Sequence, residues 1–182
     1  MTGNKLPMTC EAEDAQSKGL LTHPIPPVFD SSSRILILGS FPSVKSREAG
    51  FYYGHPRNRF WPLMEELFSI RFPDIPAKKA FLLDAHIALS DVIQACRIKG
   101  SADATITDAV PSDLDQILSS SQVSKVFLNG GKAAELFSRF QSVPEGVSVT
   151  RLPSTSPANA AWSFSRLVSA WQAVKEALGM PS

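Results

Sequence analysis

Cysteine is nearly absent from this sequence: Cys10 and Cys96 are the only two among 182 residues. That excludes a disulfide framework and a four-cysteine metal site, and it fits a reducing, intracellular compartment. Histidine is almost as scarce. His23, His55 and His86 are scattered without ligand spacing, so no metal and no cofactor is expected. No apolar run approaches the roughly 18 residues of a membrane span. Met1 to Gly19 lacks the apolar core of an export signal. These absences predict a cytoplasmic protein that does not engage a membrane. A strong charge of one sign is missing too. The net charge is +1, and no basic tail announces nucleic acid. Residues 1–33 carry two basic and four acidic side chains, which leaves 16 basic and 13 acidic beyond them. Such a balance permits a local basic face without requiring one.

The length suffices for one domain with a real core and is too short for two. Residues 1–19 have few large apolar side chains and no periodicity, so they read as a disordered lead-in. Residues 20–182 read as a single domain, introduced by the extended, proline-rich stretch His23 to Pro27. Arg34-Ile-Leu-Ile-Leu-Gly39 is a short apolar run ended by glycine, the pattern of a strand buried on both faces. Further strands are expected at His86 to Val92, Lys125 to Asn129 and Val147 to Leu152. Helices are expected at Pro56 to Phe68, Ala77 to Asp84, Ser112 to Ser119 (with Ser112 as N-cap), Lys132 to Phe140 and Ala160 to Leu178. Strands alternating with helices predict an α/β fold. It is a three-layer sandwich with a short, mostly parallel four-stranded sheet flanked by helices. In such sheets ligands bind beyond the carboxyl ends of the strands. Those ends are Gly39-Ser-Phe-Pro-Ser43, Ser90-Asp91, Asn129-Gly130-Gly131 and Pro153-Ser-Thr-Ser-Pro157, and all carry small or polar residues. Gly-x-Gly-x-x-Gly is missing after the first strand, which argues against a dinucleotide site.

Each motif has a chemical reading and a structural one. Ser43 and Ser46 can donate to phosphate oxygens, or simply shape a turn. Phe51, Tyr52 and Tyr53 lie in a loop and offer a flat stacking surface for a base. Arg57 and Arg59 are expected to meet phosphates, and Asn58 either caps a helix or works in the site. Phe60 and Trp61 begin an apolar helical face and belong to the core. Pro153 and Pro157 stiffen a run of hydroxyls able to press on a nucleic-acid backbone; within that loop, Asn159 can cap the final helix.

Four segments carry a resemblance: Gly39-Ser-Phe-Pro-Ser43, Phe51-Tyr-Tyr-Gly-His-Pro-Arg-Asn-Arg-Phe-Trp61, Asn129-Gly-Gly-Lys-Ala133 and Leu152-Pro-Ser-Thr-Ser-Pro-Ala-Asn-Ala160. Together they resemble the hypoxanthine-DNA glycosylases, the deoxyinosine-directed branch of the uracil-DNA glycosylase superfamily. The resemblance runs from about Ile25 to Leu178. It implies a metal-free, monofunctional enzyme acting as a monomer on duplex DNA that contains a deaminated base. Such an enzyme flips the base, chiefly hypoxanthine, and hydrolyses its N-glycosidic bond in base-excision repair. Uracil excision from mismatched duplex and a catalytically silent DNA-binding module are the competing expectations.

The resemblance also distributes roles. Many relatives carry Asp or Asn in the first loop to position water; Phe41 stands there in this chain and can only line the base. The chemistry then falls to Asn58, orienting water or holding the leaving base. Asp91 follows the second strand, where relatives place a base-recognition residue, and its other reading is a turn cap. Ser90 stands where many relatives have Trp. Asn129, Lys132, Ser154, Thr155 and Ser156 are expected at the DNA.

Overall fold

The computed structural model describes residues 19–180, so most of the expected lead-in lies outside the described residues. Two sheets organise the chain. The larger is parallel, in the order β3-β2-β6-β7, from β2 (Ile35–Gly39), β3 (Ile87–Asp91), β6 (Lys125–Asn129) and β7 (Ser148–Leu152). The smaller is antiparallel, β1 (Leu21–Thr22), β4 (Ile93–Arg97) and β5 (Thr107–Pro111), in the order β1-β4-β5. The parallel sheet and its helices are the expected fold. The second sheet was not anticipated.

Alternation along the central strand explains the layers. Ile35 and Ile37 join one core with Phe127, Ile87 and Leu89, whereas Leu36 and Leu38 join another with Val126, Leu128 and Ala88. Both faces of a parallel strand must therefore be apolar, and β2 is buried throughout. The first core is closed by α2 (Phe60–Phe68), α3 (Ile75–Asp84) and α6 (Phe164–Ala177), with Trp61, Leu82 and Trp171 buried in it. The second is closed by α4 (Asp115–Ser120), α5 (Gly131–Phe140) and β4. A short α1 (Val44–Ala49) follows the first strand-end loop.

Three helices start three or more residues later than expected, each because a side chain captured a backbone donor. Helix α2 begins at Phe60, not Pro56, because Asn58 Oδ1 accepts the Phe60 N–H at 3.0 Å and residues 55–59 form a turn. Ser112 does not cap α4; its N–H goes to the Val92 carbonyl, and Asp113 Oδ1 accepts from Gln116 N–H instead. Helix α6 starts at Phe164 with Ser163 as its cap. Asn159 donates from Nδ2 to the Ser154 carbonyl at 2.9 Å, bracing its own loop rather than capping a helix.

The parallel register puts Gly39 beside Asp91 and Asn129 beside Leu152. All four strands thus end at one edge, and the loops that follow them meet there.

Candidate active site

At that edge lies a cavity of about 710 Å³, within the range of small-ligand sites. Its wall takes residues from all four strand ends, from the aromatic loop and from the hairpin between β4 and β5.

Asn58 occupies the turn before α2 and lines the cavity. Its Oδ1 accepts two hydrogen bonds, from Phe60 N–H and from Thr155 Oγ1, both at 3.0 Å. Because the backbone N–H can only donate, the amide orientation is fixed and the Nδ2 group is the one left for a ligand. Thr155 is fully buried. Its Oγ1 accepts from Asn129 Nδ2 and its N–H donates to Asn129 Oδ1, each at 2.9 Å. A continuous chain, Asn129 to Thr155 to Asn58, therefore sets the Asn58 amide. Asn129 and Thr155 were expected to touch DNA; the structure buries both and commits their polar atoms to each other and to Asn58.

The first loop is similarly self-occupied. Ser43 caps α1 by accepting from Ser46 N–H, and the buried Ser46 Oγ accepts from Gly54 N–H at 3.0 Å. Ser46 thus ties the first loop to the aromatic loop, correcting the expectation of a phosphate contact. Phe41 is buried in the cavity wall, edge-on to His23 at 5.4 Å, with the Arg47 guanidinium 5.5 Å from its ring centre.

Of the three loop aromatics, Phe51 turns away. It stacks on Trp61 at 5.7 Å in the core and does not line the cavity, so it is not part of a base platform. Tyr52 and Tyr53 do line it. Tyr53 stacks on Phe60 at 4.1 Å, and its hydroxyl is buried without a partner among the described residues. Its φ of 56° puts its backbone in the left-handed region, unusual for a residue with a side chain of this size.

Asp91 forms the floor. Its Oδ2 is buried without a partner among the described residues. Burial, reinforced by the nearby Asp103 and partly offset by the Gly39 N–H, pushes its carboxyl up to about 8, so it is protonated at neutral pH. Gly39 is required beside it: a Cβ there would lie 2.3 Å from Asp91 Oδ1.

This burial predicts a pH-dependent cost. The fold raises the Asp91 pKa, so its contribution to stability is fully present below about pH 4 and is lost as pH rises toward 8. Asp91→Asn should be neutral near pH 4 and stabilising by on the order of a few kcal/mol at pH 8. Melting curves at the two pH values check it, and an equal difference at both would refute the assignment.

The remaining expected residues divide between wall and rim. Lys132, Ser154 and Ser156 line the cavity; Lys132 Nζ also pairs with Glu135 at 3.0 Å. Arg57 is exposed and lies outside the lining. Arg59 does not face solvent phosphates. Its guanidinium donates to the carbonyls of Thr155, Ser156, Asn159 and Trp162, clamping the last loop onto the turn before α2. Two charged lining residues escaped the sequence reading, Arg151 and Asp103. Arg151 was legible as a cation just before the hydroxyl-rich loop. Asp103 lies between β4 and β5, where no pattern was read.

A parallel sheet ending in a polar cavity, with a neutral buried acid, an oriented amide and a rigid hydroxyl-rich loop, is the layout of an enzyme that takes hold of a polar ring. The family model of the uracil DNA glycosylase superfamily matches residues 26–175. The chain belongs to that superfamily. Among curated proteins it is 36% identical over 154 residues to a hypoxanthine DNA glycosylase of Methanosarcina acetivorans, covering 82% of this chain and 94% of the relative. It is 35% identical over 116 residues to a hypoxanthine DNA glycosylase of Methanosarcina barkeri, covering 60% of this chain and 72% of the relative. A solution NMR structure from Methanosarcina acetivorans, described as a candidate uracil DNA glycosylase, is similar with a TM-score of 0.72 and 32% identity. That similarity covers 88% of this chain and 99% of the other.

Proposed function

We propose that this protein is a monofunctional DNA glycosylase that excises deaminated bases, chiefly hypoxanthine, from duplex DNA by hydrolysis of the N-glycosidic bond. The observation that carries the reading is the convergence of Asp91 and Asn58 on one cavity. A protonated carboxyl both donates and accepts. It can meet the N1–H and the 6-oxo group of hypoxanthine together. An ionised carboxylate would only accept, and would favour the adjacent N–H groups of guanine instead. The free Asn58 Nδ2 adds a donor for the departing base as negative charge gathers on it. Tyr52 and Tyr53 supply aromatic surface, and Ser154, Ser156, Lys132 and Arg151 form a polar and cationic border suited to phosphates. The enzyme acts as a monomer inside the cell. No helix among the described residues is long and apolar enough to cross a membrane.

Single-turnover assays on duplexes containing deoxyinosine, deoxyuridine or xanthine test this reading. Alkali-labile abasic sites are expected chiefly from deoxyinosine. Release of uracil without hypoxanthine would replace the proposed substrate, and lesion binding with no abasic product would leave a binding module.

A further inference from the structure

Hydrolysis of a glycosidic bond requires more than a grip on the leaving base. A water must lose a proton, and the sugar develops positive charge at C1′. Asn58 can serve neither need as a base, because it is an amide whose oxygen is already taken by Phe60 and Thr155. Phe41 has no polar atom. Asp91 is buried and protonated at neutral pH.

Among the described residues, one other carboxyl reaches the cavity. Asp103 begins a 3-10 turn, Asp103–Thr105, in the hairpin between β4 and β5. Its Oδ2 accepts from Ser40 Oγ at 2.6 Å, and Ser40 is the first residue after β2. The turn is tied down a second time by Ser101 Oγ, which accepts from Val44 N–H at 3.0 Å at the start of α1. Asp103 Oδ1 makes no hydrogen bond among the described residues. Asp103 thus comes from a segment distant in sequence and docks on the loop whose own side chain, Phe41, cannot position water.

Resting on the glycosylase reading, we infer that Asp103 is the general base of the hydrolysis, its free oxygen holding the attacking water and its charge facing the sugar. The C1′–N9 bond breaks and its electron pair leaves on N9. The water oxygen bonds to C1′ and its proton passes to the Asp103 carboxylate. The purine takes a proton from solvent and Asp103 returns one, so a single water is consumed. The groups around Asp103 suit this division of labour. Burial raises its pKa, while the Ser40 hydroxyl and the Lys132 charge oppose that rise. The Asp103 charge in turn helps keep Asp91 protonated. Two carboxyls in one cavity thereby sit in different surroundings, Asp91 with a buried, unpartnered oxygen that can read the base and Asp103 held by Ser40 near Lys132 to serve the water. Besides Asp91 and Lys132, the titratable groups coupled to Asp103 are Tyr53 and Cys96.

The test compares Asp103→Asn, Asp103→Ala and Ser40→Ala with the wild-type full chain on a deoxyinosine duplex. Asp103→Asn should slow single-turnover release by about 100-fold or more, abolish the acidic limb of the pH–rate profile, and leave lesion-duplex affinity within about threefold. Formate should restore part of the Asp103→Ala rate. Ser40→Ala should fall between wild type and Asp103→Asn, because the base remains but is less well placed. A rate within about threefold of wild type in Asp103→Asn would overturn the inference. So would an Asp103→Ala rate unresponsive to formate alongside a Ser40→Ala loss as large as that of Asp103→Asn, since that pattern marks a structural link. The same series on deoxyuridine separates this inference from the substrate reading. If the wild type releases only uracil, the substrate reading fails, yet an Asp103→Asn deficit on uracil still supports the base. A wild type that releases neither base overturns both.

Discussion

Asn58→Ala is expected to lower the rate of base release by about a thousandfold while the lesion duplex still binds. The loss follows from a single unoccupied donor. Asn58 lines the cavity, and with its Oδ1 filled by the Phe60 N–H and the Thr155 hydroxyl, Nδ2 is the group left to bond a ligand. A donor at the base is worth most when negative charge develops there, which is at bond cleavage rather than at binding. Affinity therefore holds while rate falls. Asn58→Asp sharpens the test. The carboxylate can keep both accepted hydrogen bonds but has no N–H to offer the leaving base. An inactive Asn58→Asp confirms the donor role. An active one moves residue 58 to the water, where a carboxylate serves. Rates near wild type in Asn58→Ala would remove Asn58 from the mechanism altogether.

The second large effect is on the scaffold. Arg59→Lys should destabilise the protein by about 3 kcal/mol, or roughly 6 to 12 °C in melting temperature for a domain of this size. The guanidinium of Arg59 reaches the carbonyls of Thr155, Ser156, Asn159 and Trp162, four acceptors spread along the loop before α6. An ammonium cannot span them, so charge is preserved and geometry is lost. Because Arg59 N–H also donates to Thr155 O at 3.1 Å, the loosened loop carries Thr155 with it. The Asn58 amide should lose definition, and the rate should fall further than the stability change alone explains. Thermal melts beside single-turnover rates measure both. An unchanged melting temperature would show that the clamp is dispensable.

Arg59 also illustrates where sequence reading reached its limit. Arg57 and Arg59 look alike as alternating cations flanking Asn58, yet one is exposed and the other is sunk among carbonyls. The difference comes from the loop at 155–162, nearly a hundred residues away. The strands, by contrast, were plain in the sequence, because burial on both faces requires unbroken apolar runs such as Ile35 to Leu38. The helix cores were equally plain from Trp61, Leu67, Trp171 and Val174. Asn58 and Asp91 were legible because strand ends and turns in this architecture collect functional groups. What local pattern could not reveal was which hydroxyls were already spent. Ser46 and Thr155 look like donors awaiting phosphate, and both are buried in internal hydrogen bonds. Phe51, Tyr52 and Tyr53 look equivalent in sequence, but Trp61 draws the first into the core. Asp103 was missed because the β4–β5 hairpin is irregular, with register shifts on both sides of Ala95 that blur the alternation.

The chain from Asn129 through Thr155 to Asn58 makes residues 58, 129 and 155 one mutually dependent unit. Thr155→Val alone would leave the buried Asn129 Nδ2 without its acceptor and the half-buried Asn58 oxygen with the Phe60 N–H as its one partner. Grafting the 153–157 loop from a relative into this chain should succeed only when positions 58 and 129 travel with it. A change at any one of the three removes a hydrogen-bond partner from another, even though none of them is near another in sequence.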